Sequence, residues 1–203
     1  MDLVTNNLNS PTYWHTPESP FPVLPPARTV EEAWITAMKS QPFQKLAKSA
    51  IIYHNDEGIT RQIYTLMIDG LDKYPTNLVL PSPYFTCFLA CDTQGVPDTV
   101  IRNFADILVK EGVVDVAIWG PDCQRVHCIF DSVCIQREID DGINYPVVGT
   151  TDHAYDTLED ALDFLVTVIN PDEAYQDHCT ATLVIAVANS EWLLRMENVL
   201  REV

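Results

Sequence analysis

Val113-Val114-Asp115-Val116-Ala117-Ile118-Trp119-Gly120-Pro121-Asp122-Cys123-Gln124-Arg125-Val126-His127 is the stretch whose reading decides the fold. Its first half is a short apolar run rich in β-branched residues, bounded by Gly112 and by Gly120-Pro121. That is the pattern of a strand covered on both faces. Pro121 suits the first position of a helix, because its ring presets φ and the N–H it lacks would have gone unpaired. A helix is therefore expected from Pro121, with Asp122 at the positive end of its dipole. Val126, Ile129, Phe130 and Val133 recur at i, i+3, i+4 and i+7 and give that helix a face for a sheet, while Cys123 and His127 lie one turn apart along its flank.

Working outward, the same alternation repeats. After a connection marked by Pro75, Pro81 and Pro83, strands are expected at 84–91, 113–119, 146–150 and 181–188. Helices are expected at 97–111, 121–133, 158–169 and 191–202. The first buries Val100, Phe104, Ile107 and Leu108; the third is capped by Thr157 with Asp160 and buries Leu158, Ala161, Leu162, Leu165 and Ile169. Strands joined by helices imply right-handed crossovers. The fold class is α/β: a mostly parallel sheet of at least four strands with helices on both faces, a Rossmann-like three-layer arrangement, plus an N-terminal extension. Phe104, Leu108, Ile118, Phe130, Leu162, Leu165, Val184 and Val187 are its expected core.

Upstream the chain changes character. Residues 1–28 carry Pro11, Pro17, Pro20, Pro22, Pro25 and Pro26 among Tyr13, Trp14 and Phe21, which reads as an extended arm lying on the body. Residues 29–83 open with a Thr29-Val30-Glu31-Glu32 capping box and a helix. They continue with Ile51-Ile52-Tyr53 and 62–68 flanking Asn55-Asp56-Glu57-Gly58, where a hairpin is favoured over a helix from Thr60. Residues 84–203 form the α/β core domain.

In parallel sheets ligands bind beyond the carboxyl ends of the strands, where strand order reverses. Those ends are polar here: Asp92 after the first strand, Trp119, Asp122 and Cys123 after the second, Asp152 and His153 after the third, and Ser190 and Glu191 after the fourth. Helix capping alone accounts for Ser190, and in part for Asp152. It does not account for a tryptophan beside a cysteine and a histidine. All of these residues are expected to rim one depression, with Asp92, Trp119, Asp122 and Glu191 as ligand- or partner-binding positions.

Twelve Lys and Arg against 29 Asp and Glu leave a formal charge of −17. That excludes generic binding to a phosphate backbone, which needs a basic surface, and suits the steering of a basic protein partner. Six cysteines form no C-x-x-C pair, in a chain large enough not to need disulfides. No apolar run approaches the roughly 20 residues of a membrane span, and the first residues do not resemble a secretory signal. The expectation is a cytoplasmic protein. There is no G-x-G-x-x-G and no G-x-x-x-x-G-K, so no nucleotide cofactor is expected. Asp122, Cys123, His127, Asp152, His153, His178 and Cys179 are zinc-type ligands, but no spacing joins them and no metal is expected.

The catalytic possibility is a cysteine-dependent hydrolase or transferase. Cys123 sits near a helix N-terminus that lowers thiol pKa, with His127 or His153 as base and Asp152 to orient the histidine. Asp122 beside the thiol works against it. The W-G-x-D-C-x-x-V-H motif, with the Asp152-His153 segment, the 158–168 helix and Asn170-Pro171-Asp172-Glu173-Ala174-Tyr175, resembles an uncharacterised family of small bacterial α/β domains over residues 84–200. The resemblance implies a bacterial or phage-related cytosolic module and assigns no activity. Two function classes follow: a binding module of immunity, inhibitor or sensor type that engages a protein partner or small ligand at the sheet edge, which is favoured, and the cysteine enzyme.

Overall fold

The structure is a computed structural model, and it describes residues 51–54, 60–75, 78–141 and 148–202. The arm, the Thr29 capping box with its helix and the Asn55–Gly58 turn lie outside the described residues. In chain order the elements are β1 (Ile51–His54), β2 (Thr60–Ile68), β3 (Phe85–Ala90), α1 (Asp98–Lys110), β4 (Val113–Trp119), α2 (Cys123–Asp141), β5 (Gly149–Asp152), α3 (Leu158–Thr167), a short α4 (Glu173–Gln176), β6 (Ala181–Val187) and α5 (Ser190–Glu202). A single 3-10 turn at Leu71–Lys73 interrupts the connection from β2 to β3.

The six strands form one sheet in the order β1-β2-β6-β3-β4-β5. β1 pairs antiparallel with β2, and the other five strands are parallel. The fold is thus α/β, as the alternation of strand and helix requires, and the antiparallel pair of β1 and β2 agrees with the hairpin favoured over a helix from Thr60. From β3 the chain winds outward through β4 to the edge strand β5. It then crosses back by α3, so that β6 is inserted between β3 and β2.

Reversing the winding direction places helices on both faces. α1 and α2 pack on one face through Ile101, Phe104, Leu108, Val126, Ile129, Phe130 and Val133. On the other face α3 and α5 contribute Leu158, Ala161, Leu162, Leu165, Met196 and Leu200. The eight expected core residues are all buried. Helices cover both faces of the central strands, which is why β3 and β6 are buried at every position, and their polar Thr86 and Thr182 hydrogen-bond to each other at 2.8 Å.

Several boundaries differ from the sequence reading, each for a local reason. α2 begins at Cys123 and not at Pro121, because Asp122 takes φ 69° and only the residues after it can enter a right-handed helix. α5 is capped by Asn189, whose Oδ1 accepts from the N–H of Trp192 at 3.0 Å, and so Ser190 is not the cap. β5 runs from Gly149 to Asp152, later than expected, which puts Asp152 on the strand itself. On α1 the fully buried positions are Ile101, Phe104, Ala105 and Leu108, with Val100 and Ile107 half-buried at the margin. Thr157 does cap α3: its Oγ1 accepts from the N–H of Asp160 at 3.1 Å.

One irregularity shapes the middle of the sheet. Phe85 pairs with Val113 but Thr86 with Asp115, so Val114 is an extra residue in β4. Asp115 then faces the side covered by α3, directly over Gly149 of β5, where a Cβ would lie 2.1 Å from its carboxylate.

Candidate functional site

A pocket of ≈ 440 Å³ opens at the carboxyl ends of β4 and β5, lined by Trp119, Gly120, Pro121, Asp122, Cys123, Gln124, His153, Ala154 and Asp156. Its floor is the turn from β4 into α2. Gly120 has φ 117°, and a Cβ there would lie 2.2 Å from the carbonyl oxygen of Cys91, so the turn lies against the end of β3 only because position 120 has no side chain. The N–H of Cys91 donates to the carbonyl of Trp119 at 3.0 Å and locks the two strand ends together.

Arg125 fixes the same turn from beneath. Its Nε donates to Asp122 Oδ2 at 2.7 Å, its Nη2 to the carbonyl of Thr93 at 2.7 Å, and both terminal nitrogens to the carbonyl of Val96 at 3.2 Å. Nη1 also pairs with Asp98. One guanidinium therefore joins the β3–α1 loop, the start of α1 and the β4–α2 turn. Its donors are spent internally.

The opposite wall is the loop after β5. Trp119 is half-buried: its ring meets that of Trp192 edge-on at 5.1 Å, and its Nε1 donates to the carbonyl of Asp156 at 2.9 Å. His153 is 6% exposed, packs on Phe164 at 5.0 Å, and has Nδ1 2.7 Å from Asp156 Oδ2 and Nε2 3.3 Å from Thr151 Oγ1. A carboxylate only accepts, so in the neutral ring Nδ1 carries the proton and Nε2 accepts from the threonine hydroxyl. Tyr155, between two lining residues, is 94% exposed.

The structure gathers Trp119, Asp122, Cys123 and His153 in one pocket and leaves Asp92, His127, Asp152 and Glu191 outside its lining. Asp92 accepts from the N–H of Gln94 at 3.0 Å and shapes its own turn, and Glu191 stands exposed in the first turn of α5. The lining of this pocket does not extend along the whole edge. Strand order reverses between β3 and β6, but the contact between Trp119 and Trp192 spans the end of β3 on that face. The pocket is consequently displaced to β4 and β5.

Of the four residues of the catalytic reading, only Asp152 and His127 pair with each other. Asp152 and His153 are consecutive residues leaving a strand, so their side chains point to opposite faces of the sheet. Asp152 pairs with His127 Nδ1 at 3.5 Å on the α2 side, where His127 Nε2 also meets Asp131 at 3.4 Å. His153 turns to Asp156 on the α3 side, so Asp152 does not orient it. Cys123 is 1% exposed and its thiol pKa is raised, first by burial and then by the Asp152 carboxylate, against opposing backbone N–H groups of His153, Gln124 and Cys123 itself. Its environment is that of an inert buried thiol, the reverse of an activated nucleophile.

Sequence reasoning missed Asp156, Gln124 and Arg125. The signals were present as spacings: Asp156 follows His153 by three residues and Arg125 follows Asp122 by three, each the reach of one turn. Among the described residues no group of three or more His, Cys, Asp or Glu is placed to hold a metal ion, and no helix is long and apolar enough to cross a membrane.

The fold is that of an α/β domain with a mostly parallel sheet, and Trp119 walls a pocket at the ends of two of its strands. The chain belongs to the family described as Domain of unknown function (DUF7684), which matches residues 65–203. The match begins within β2, earlier than the resemblance noted from residue 84. No curated protein matches the chain.

Proposed function

We propose that this protein is a binding module whose pocket at the ends of β4 and β5 engages a protein partner, in the manner of an immunity, inhibitor or sensor component. The observation that carries the reading is Trp119: a large indole held in place by Asp156 and Trp192, yet lining an open pocket. Tryptophan is enriched among the residues that anchor protein interfaces, where one end of the ring is buried and the other wet. Tyr155, exposed between two lining residues, adds a second aromatic beside the pocket. The formal charge of −17 favours a basic partner by steering it toward the acidic surface. A cytoplasmic site of action belongs to the same proposal, in keeping with six free cysteines.

The cysteine-enzyme reading has less support, since Cys123 is buried with a raised pKa and no histidine is paired to it among the described residues. The test is a binding comparison in the native host's extract between wild type, Trp119→Ala and Tyr155→Ala, each first shown to unfold cooperatively. A partner held by the wild type should be lost on Trp119→Ala and weakened on Tyr155→Ala. Retention of that partner by both variants would place the interface elsewhere.

A further inference from the structure

The chemistry of the pocket lining narrows what can enter it, and the argument rests on the binding reading above. No Lys or Arg lines the pocket. Arg125, the nearest cation to the turn, has its donors committed to Asp122, Asp98, Thr93 and Val96. Both ring nitrogens of His153 are engaged, by Asp156 and Thr151, and the indole N–H of Trp119 is given to a backbone carbonyl. The side-chain donors around the pocket are therefore occupied, with the Gln124 amide as the exception.

The acceptors are not used up. Asp122 and Asp156 each engage one carboxylate oxygen, Oδ2, in the bonds just named, and their side chains are 33% and 50% exposed. The starts of α2 and of α3, which Thr157 caps beside Asp156, work in the opposite sense, each contributing roughly +0.5 of a charge. The two carboxylates are nonetheless the only Asp, Glu, Lys or Arg side chains that line the pocket itself, in a chain of formal charge −17. An aromatic wall beside carboxylates in a partly desolvated pocket is the setting in which a cationic nitrogen is held by ring quadrupole and counter-charge together.

We infer that the group this pocket accepts is a cationic nitrogen, an arginine or lysine side chain presented by a protein partner, seated against Trp119 between the carboxylates of Asp122 and Asp156. The volume of ≈ 440 Å³ lies toward the small end of ligand sites, suited to one long side chain. The exposed Tyr155 at the rim offers surface to the polypeptide that carries it, which a free amine would leave unused.

The experiment is an NMR titration of the full chain, following the indole N–H of Trp119. The probes are N-acetyl-arginine amide, N-acetyl-lysine amide, tetramethylammonium, the neutral isostere N-acetyl-citrulline amide, and a short basic peptide. The expected result is a Trp119 shift with the arginine or lysine probe, weakening by at least about tenfold for citrulline, and tighter binding of the peptide than of any free amine. Affinity should also fall as ionic strength rises. Asp122→Asn, which keeps a residue tolerant of positive φ, should weaken the cation about fivefold or more, as should Asp156→Asn. Equal binding of citrulline and arginine, no effect of either substitution, or no shift by any cationic probe would overturn the inference. A shift by neutral ligands alone would leave the pocket as a binding site while removing the cation. Tetramethylammonium binding as tightly as the peptide would assign the site to a small amine and overturn the protein side chain. Loss of the pocket reading itself is read separately, from partner retention by Trp119→Ala.

Discussion

Gly120→Ala is the sharpest test of how the pocket floor is built. The new methyl would sit 2.2 Å from the carbonyl oxygen of Cys91, 3.1 Å from its carbonyl carbon and 3.4 Å from its nitrogen. These are backbone atoms of a central strand end, so no side chain can swing away. Relieving the contact requires the turn to retreat from β3 by the better part of an ångström, which breaks the 3.0 Å bond from the Cys91 N–H to the Trp119 carbonyl. Losing that buried bond costs about 1 to 3 kcal/mol, and holding Ala at φ 117° adds about 1 to 3 kcal/mol. The sum is about 2 to 6 kcal/mol, a large fraction of the 5 to 15 kcal/mol typical of whole domains. Gly95→Ala is the control: φ there is also positive, at 79°, but nothing lies within 4 Å of the added methyl. It should cost only the conformational part, about 1 to 2 kcal/mol. Urea denaturation of both variants measures the difference. Equal losses for the two would refute the argument that close approach to β3, and not φ alone, requires glycine at 120.

Burial pushes the Asp115 carboxyl up to about 6, with Arg61 opposing, and Glu111 up to about 7, with the Tyr74 hydroxyl opposing. Raised folded-state values mean that their contribution is full below the unfolded carboxylate range and is lost as pH rises through about 6 to 7. Asp115→Asn should therefore be more stable relative to wild type above about pH 7, by at most roughly 3 kcal/mol, and lose that advantage below about pH 4; a difference independent of pH would contradict the burial of this carboxyl. Phe104 is 1% exposed and meets Tyr74 and Phe130 edge-on at 5.4 and 6.4 Å, so Phe104→Ala should cost about 3 to 5 kcal/mol in chemical denaturation. A loss below about 1 kcal/mol would mean that Phe104 does not join α1 to α2.

The class of fold, most of its elements and its core were legible in the sequence because they depend on local patterns. The β-branched run at 113–119 reports burial on both faces, the spacing of Val126, Ile129, Phe130 and Val133 reports one helical face, and Thr157 with Asp160 reports a cap, each within about ten residues. Parallel strands also directed attention to their carboxyl ends, where a pocket lies. Tertiary structure alone decided the rest. Inserting β6 between β2 and β3 brings Trp192 to Trp119 and displaces the pocket toward β5. The alternation of side chains along β5 sends Asp152 to His127 and His153 to Asp156, dividing residues that stand together in the sequence. Cys123, one turn from a histidine on paper, turns inward because its helix packs on the face that includes Val126 and Phe130, and burial then holds its thiol protonated. The reason is physical: a periodic pattern fixes which face of an element is apolar, but strand order and the packing of opposite faces depend on contacts between residues far apart in the chain, and those contacts decide which polar side chains share one pocket.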